Sequence, residues 1–371
     1  IDNEIDIKFC KESIKNGKIG NGERNKIKVV FTPIHGTSII TIPRVFRDSG
    51  YKNFEIVEEQ SIPDGNFPTV ISPNPEETEA LSMALNKANK IDADIVIGTD
   101  PDSDRLGIAV RNENNELELL NGNQIMIVLT NFVLEKENLR DLNNPFVATT
   151  IVSSPMLKKI AEYHNVDCKH TLTGFKWIAN LIKNSPDSKF ICGGEESYGF
   201  MKGDFVRDKD AITSSLLACE IVAEAKSNKK SFFSILVDLY VKFGLFHDKL
   251  VSIQKKGKRG AEQINNLIDG FRNQPPNLLD GSEIIIIEDY LTSQRYDVRL
   301  KRLTKIDLPK SNVLILVSLD GTRVAIRPSG TEPKIKFYFS VNMKLTKSEN
   351  YRTTKNILEN KIKRILTEFD I

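Results

Sequence analysis

Short apolar runs alternate with helical patterns along most of this chain, and that alternation constrains the fold more than any other feature. Residues 27–31 (IKVVF), 54–57 and 91–98 (IDADIVIG) read as buried strands of the kind found in parallel sheets. Between them lie two helical patterns. The first has Pro43 near its start and Gly50 just past its end, and the second runs over 78–90 with Thr78 as its cap and Ala80, Leu81, Ala84, Leu85 and Ala88 as one stripe. A hairpin is expected from 106–110 and 116–120, followed by a largely buried helix at 123–136. The same grammar then repeats. Strands at 146–152, 167–172 and 190–192 alternate with helices at 155–163 and 175–184, and long helices at 210–227 and 231–243 complete the unit.

Strand and helix in strict alternation, twice over, predict two three-layer α/β domains. Beyond Gly244 the order changes. A basic stretch at 255–259 reads as a solvated linker, then come a helix, sequential strands at 284–287, 313–319, 323–326 and 334–341, and a closing helix at 348–367. That order predicts a smaller α+β C-terminal domain. The boundaries are expected at 26–140, 141–254 and 255–371, with 1–25 as the remnant of, or linker from, a further domain upstream. The chain opens on Ile1 and its first residues carry no domain of their own, so it reads as the C-terminal part of something longer.

Composition excludes several function classes. A formal net charge of +2, with 27% charged residues, gives no general attraction to nucleic acid or to an anionic membrane. No apolar run approaches the roughly 18 residues of a membrane span. The four cysteines, Cys10, Cys168, Cys192 and Cys219, have neither zinc spacing nor a disulfide framework, so the chain is expected to be cytoplasmic, with reduced thiols.

The chemistry concentrates in three loops. In TDPDSDR (99–105), Asp100, Asp102 and Asp104 alternate directly after a strand, and three such carboxylates repel unless a cation sits among them. An EF-hand would need Gly at its sixth position and Glu at its twelfth, where this chain has Arg105 and Arg111. A phosphatase with Asp100 as nucleophile and Asp102 as acid is the competing reading, and the third carboxylate, Asp104, favours metal. RPSGTEP (327–333) brings Arg327, Ser329, Gly330 and Thr331 together with Lys334 and Lys336 nearby, the parts of a phosphate-gripping loop or, more blandly, of a tight turn. GGEESYG (193–199) offers acceptors and hydroxyls suited to a sugar. GDFVRDKD (203–210) adds charges beside it, which a salt-bridged helix start with Asp210 near its cap would also explain. His35 reads as a hydrogen-bonded loop residue, His164, His170 and His247 follow no pattern, and Trp177 reads as core.

Taken together, DPDSDR, GEESYG and RPSGTEP, in this order and spacing, resemble the α-D-phosphohexomutase superfamily, the phosphoglucomutases and phosphomannomutases. The supporting phrases TPIHG, DGNFP with PNPE, TGFKW and GDFVRDKD are similar to the branch that includes bacterial phosphoglucomutases and the phosphopentomutase-like enzymes. The resemblance runs from about Lys26 to Val341. It implies four domains around a cleft, of which this chain would hold the second, third and fourth. It further implies that Asp100, Asp102 and Asp104 hold Mg²⁺ and that Arg105 steadies the transferring phosphoryl group. Glu195 and Ser197 would bind sugar hydroxyls with Thr173 and Gly174 beside them, and Lys209 would act as general acid or base. Arg327, Ser329, Gly330 and Thr331 would hold the other phosphate of the hexose phosphate, with glucose 1,6-bisphosphate, or an equivalent sugar bisphosphate, as activator and intermediate.

The chain departs from the family in one respect. The family's nucleophile is a phosphoserine in a Ser-His loop, and no Ser-His pair occurs in these 371 residues. Phosphoryl transfer therefore needs an N-terminal domain of the same protein, and the fragment alone is expected to be inactive. Ser153 and Ser154, at a strand end, are the substitutes within the chain, though nothing near them in sequence would activate them. Phosphoglucomutase activity is the leading expectation. Phosphomannomutase and phosphopentomutase activities, and a non-catalytic sugar-phosphate-binding protein, stand as alternatives.

Overall fold

The structure is a computed structural model that describes residues 3–255, 257–330 and 333–371. It divides into two compact units, the first holding Ile1–Ile151 with Met156–Leu239 and the second Val152–Pro155 with Tyr240–Ile371.

The first unit opens with a helix that the sequence reading left unassigned, α1 (Asn3–Gly17). Strand β1 (Val29–Thr32), helix α2 (Ser38–Ser49), β2 (Phe54–Ile56), α3 (Ser82–Ile91) and β3 (Ile95–Thr99) follow. The hairpin β4 (Leu106–Arg111) and β5 (Leu117–Leu119) completes a sheet of order β2-β1-β3-β4-β5, parallel across its first three strands and antiparallel beyond. Every residue of β1 and β3 is buried, because α3 covers one face of the sheet and a later helix covers the other. Gly50 ends α2 in the left-handed region at φ 99° as expected, whereas Pro43 lies inside the helix rather than near its start. Thr78 does not cap α3. Ala80 and Leu81 are drawn into a core cluster with Ile34, which uses up the expected first turn and delays the helix to Ser82.

Helix α4 (Gly122–Lys136) is closed by a reciprocal cap between Asn121 and Gln124. It was expected to end the first domain, yet it packs on the second sheet. An almost uniformly apolar helix has no stripe from which to read its neighbour. That sheet comprises β6 (Phe146–Thr150), β7 (Asp167–Thr171), β8 (Phe190–Gly194) and β9 (Phe200–Lys202) in the order β7-β6-β8-β9, with β9 antiparallel and not foreseen. Helices α5 (Met156–Tyr163) and α6 (Phe175–Lys183) flank it. Helix α7 (Ala211–Ser227), capped by Asp210, is buried almost all round because it packs against β3, β4 and β9, so both sheets share it. A buried carboxylate anchors that arrangement. Glu220 on α7 accepts from Arg24 Nε and Nη2 and from Tyr51 Oη, each at 2.6 Å, and from the Gly20 N–H at 2.8 Å.

Helix α8 (Phe232–Phe243) leads to β10 (Leu245–Gln254), a strand the sequence reading missed. It pairs in full with the last strand of the second unit, so the C-terminal sheet starts before the boundary expected at 255. Helix α9 (Gly257–Asn273) begins inside the stretch read as a linker. Strands β11 (Leu278–Leu279), β12 (Ser282–Asp289), β13 (Gln294–Asp297), β14 (Arg302–Lys305), β15 (Leu314–Ser318), β16 (Arg323–Pro328) and β17 (Lys334–Met343) build an antiparallel sheet of order β10-β17-β16-β15-β12-β13-β14, with β11 on β12. Helix α10 (Tyr351–Glu368) closes the unit. Phe369, just past its end, meets Phe337 of β17 tilted and Phe271 of α9 meets the same ring edge-on, making this an α+β layer pair. Ser153 and Ser154 are buried within this unit, at 4% and 1% exposure.

Removing one partner of a buried ion pair leaves an uncompensated charge. Glu220→Ala is expected to lower the unfolding free energy by about 3–5 kcal/mol in urea titrations. Arg24→Ala should cost a comparable amount, since it leaves the 1%-exposed Glu220 carboxylate with only neutral donors, the Tyr51 hydroxyl and the Gly20 amide.

Candidate active site

β3 runs into the acidic turn without a break: Thr99 is its last residue and Asp100 the next. Ligands gather at the carboxyl ends of parallel strands for this reason of topology. Asp100 Oδ1 accepts from the backbone amides of Asp104 at 3.0 Å and Arg105 at 2.9 Å, which curls the turn back on itself. Asp100, Asp102 and Asp104 then each offer an oxygen within 4.8 Å of the others. Burial, together with the neighbouring Asp104 and Asp102 carboxylates, pushes the Asp100 carboxyl up to about 7, against the pull of the Arg105 amide. Asp104 Oδ1 is buried with no hydrogen-bond partner among the described residues. Three hard oxygen donors, one of them orphaned, suit a divalent cation such as Mg²⁺.

Positive charge converges on the same turn. Lys209 Nζ lies 2.7 Å from Asp104 Oδ2 and 3.1 Å from Asp208 Oδ1. Burial pulls its pKa down, but the hydrogen bonds to Asp104 and Asp208 outweigh it, so Lys209 stays protonated above its ordinary range. It carries a positive charge at neutral pH. The Arg105 guanidinium lies 3.3 Å from Glu76 and 3.7 and 3.8 Å from Asp100 and Asp104. Glu76 was not singled out from the sequence. The phrase PNPE in a long aperiodic loop was its only signal.

The sugar-type loop meets the acidic turn through backbone. Arg105 and Gly199 form an isolated antiparallel bridge, and the Leu106 N–H donates to Tyr198 O at 2.9 Å. A Cβ at position 199 would come within 2.4 Å of Lys209 Cδ, so a larger residue there would have to displace the Lys209 side chain. Glu195, 4% exposed, accepts from the Gly174 N–H at 2.6 Å and from Ser197 Oγ at 3.5 Å, and Thr173 Oγ1 is buried without a hydrogen-bond partner among the described residues. Burial and then the Glu196 charge push Glu195 up to about 7, although Lys209 and Arg105 pull it back. Asp100, Asp102, Asp104, Arg105, Glu195, Ser197, Thr173, Gly174 and Lys209 therefore share one unit, and the contacts of Arg105 and Lys209 tie the acidic turn to the Gly199 end of this loop.

Arg327, Ser329 and Gly330 belong to the other unit. Arg327 sits opposite Lys336, and the Ser329 N–H donates to Lys334 O at 2.7 Å, so Arg327, Ser329, Lys334 and Lys336 fall on one face at the end of β16 and β17. Thr331 lies outside the described residues. His35, 5% exposed, bonds Ile62 O at 3.0 Å and Thr69 Oγ1 at 2.9 Å, the loop role expected for it.

A carboxyl whose pKa is raised on folding binds a proton in the native state at pH values where the unfolded chain has lost it, so stability falls as pH rises through that window. In metal-free buffer, the stability of the chain is expected to fall between the ordinary carboxyl value of 4.5 and about 7. Glu195→Gln should flatten that fall, as read by chemical denaturation at a series of pH values.

Family profiles described as phosphoglucomutase/phosphomannomutase, alpha/beta/alpha domain II and domain III match residues 8–114 and 121–243. A phosphoglucomutase of Staphylococcus epidermidis is 41% identical over 325 residues, covering 87% of this chain and 59% of its own length. The chain thus spans under two thirds of that relative. Among solved structures, the open form of pp63/parafusin, a phosphoglucomutase from Paramecium, superposes with a TM-score of 0.67 at 19% identity, covering 99% of this chain and 61% of that one. Aspergillus fumigatus N-acetylphosphoglucosamine mutase, in complex with GlcNAc-6P and magnesium, has a TM-score of 0.52 at 12% identity, covering 96% and 69%. The two family profiles and the 41% identity to a phosphoglucomutase show that the chain belongs to the phosphoglucomutase/phosphomannomutase family.

Proposed function

We propose that this chain is the cation-, sugar- and phosphate-binding part of a cytoplasmic hexose-phosphate mutase that interconverts glucose 1-phosphate and glucose 6-phosphate. The observation that carries the reading is the convergence of Asp100, Asp102 and Asp104 with Lys209 in contact with Asp104. The three carboxylates would hold Mg²⁺, which as a Lewis acid would offset charge on a phosphoryl group. Arg105, held between Glu76 and the acidic turn, places a second positive charge for that group. Lys209, kept protonated by Asp104 and Asp208, can give its proton to a sugar oxygen as that oxygen leaves phosphorus. Glu195, positioned by the Gly174 amide, accepts from a sugar hydroxyl, with Ser197 and the Thr173 hydroxyl as further partners.

Arg327, Ser329 and Gly330 would grip the phosphate that does not transfer. Glucose 1,6-bisphosphate, or an equivalent sugar bisphosphate, would serve as intermediate and activator. The phosphoserine would come from a domain outside these residues, the N-terminal domain that the family resemblance implies; the matched part is 59% of the S. epidermidis relative. Mannose and pentose phosphates are the other substrates that Glu195 and Ser197 would accept.

Two outcomes test the reading. Mixed with the N-terminal part of the S. epidermidis enzyme that this chain does not span, the chain should convert glucose 1-phosphate to glucose 6-phosphate in the presence of Mg²⁺, and Asp102→Asn should lower kcat by about 100-fold or more. A folded mixture that binds glucose 1-phosphate without converting it would favour a non-catalytic sugar-phosphate binder. Separately, Arg327→Ala should weaken glucose 1-phosphate binding to the chain alone by about tenfold in calorimetry, the scale of losing one charge-assisted phosphate contact.

A further inference from the structure

Residues 33–37 belong to none of the binding groups above, yet they brace the acidic turn from behind. The Thr37 N–H donates to Pro101 O at 2.9 Å, and Thr37 Oγ1 donates to the same carbonyl at 3.0 Å. Thr37 Oγ1 also shares a hydrogen bond with Ser103 Oγ at 2.9 Å. Gly36 lies so close that a Cβ there would come within 2.5 Å of Pro101 Cα and 2.8 Å of Pro101 O.

These contacts fall on the two residues that shape the turn. Ser103 is left-handed at φ 66°, a conformation a residue with a Cβ keeps only when its surroundings hold it. With Ser103 there, its own N–H reaches Asp100 O at 3.1 Å, and the next two amides reach Asp100 Oδ1. The three carboxylates face one another as a result. The brace is itself fixed. His35 is left-handed at φ 59° and bonded through both ring nitrogens, and Ile34 is fully buried against Ala80 and Leu81.

We propose that Gly36 and Thr37 are positioning residues that hold the acidic turn in its cation-binding shape, acting through Pro101 and Ser103 without touching cation or substrate. The proposal rests on the reading above that Asp100, Asp102 and Asp104 hold a divalent cation. Thr37 is exposed, so if its hydroxyl is removed water can satisfy Pro101 O and Ser103 Oγ and spare overall stability, while the direct link from Thr37 to Ser103 is lost.

The test is calorimetric titration of Mn²⁺ into the 371-residue chain, with thermal unfolding followed in parallel. Thr37→Val is expected to weaken Mn²⁺ binding by about tenfold, the scale seen when outer-shell partners of metal ligands are removed, with an unchanged unfolding midpoint. Thr37→Ser, which keeps the hydroxyl, should retain wild-type affinity, and Gly36→Ala should lose at least as much as Thr37→Val. Should Gly36→Ala fail to fold, the Thr37 pair decides alone. Wild-type affinity in a folded Thr37→Val protein, or equal losses in Thr37→Val and Thr37→Ser, would overturn the proposal while leaving the cation site standing. A wild-type chain that binds no Mn²⁺ would overturn the cation reading and this proposal with it.

Discussion

Mutual repulsion among three carboxylates crowded into one turn is the constraint on which the rest of the site depends. Left alone, Asp100, Asp102 and Asp104 would open the turn, since each feels the others across less than 5 Å and Asp100 is largely removed from water. The fold answers with fixed dipoles and placed cations. Two backbone amides are spent on one Asp100 oxygen, an ammonium group sits on Asp104, and a guanidinium lies beside the turn with its far side against Glu76. Each of these is a positive pole that costs no rearrangement when an anionic group arrives.

That arrangement needs a rigid frame, and helix α7 supplies it within the first unit. A helix that packs on β3, β4 and β9 holds two sheets in register, and the buried Glu220 ties its middle to Arg24, Tyr51 and the Gly20 amide. At its start, Asp210 caps the helix through the amides of Ile212 and Thr213, and the Ala211 N–H donates to Ser103 O in the acidic turn. Lys209, one residue before that cap, is thereby delivered to Asp104. The cap and the catalytic candidate are therefore one local structure: a helix start has amides to satisfy, and satisfying them fixes the residue just upstream.

The second unit solves a simpler problem. Antiparallel pairing of β16 with β17 sets Arg327 against Lys336 and Ser329 against Lys334, which gathers basic and hydroxyl side chains on one face by register alone. The opposite face carries Phe337 and Phe339 into the core under α9 and α10. Period-two alternation thus separates a packing face from a phosphate-suited face.

Much of this was legible in the chain itself. Strands rich in Val and Ile flanked by Gly and Pro, helices with a stripe, and the DPDSDR, GEESYG and RPSGTEP loops announce an α/β architecture and its chemistry, because local sterics and side-chain type act over a few residues. What escaped was whatever depends on partners distant in sequence. Strand β10 alternates weakly and is recognisable only by its pairing with β17, β9 by its pairing with β8, and the uniformly apolar α4 by the sheet it meets. Glu76, Gly36 and Thr37 show nothing of these contacts locally, although PNPE and TPIHG hold the first two, since each matters through a contact with residues that lie 29 to 66 positions further along the chain. The sequence by itself determined which side chains are available and in what local order. Tertiary structure alone decided which of them meet, because hydrogen bonds and ion pairs work over about 3–4 Å and only packing of the two sheets around α7 closes those distances.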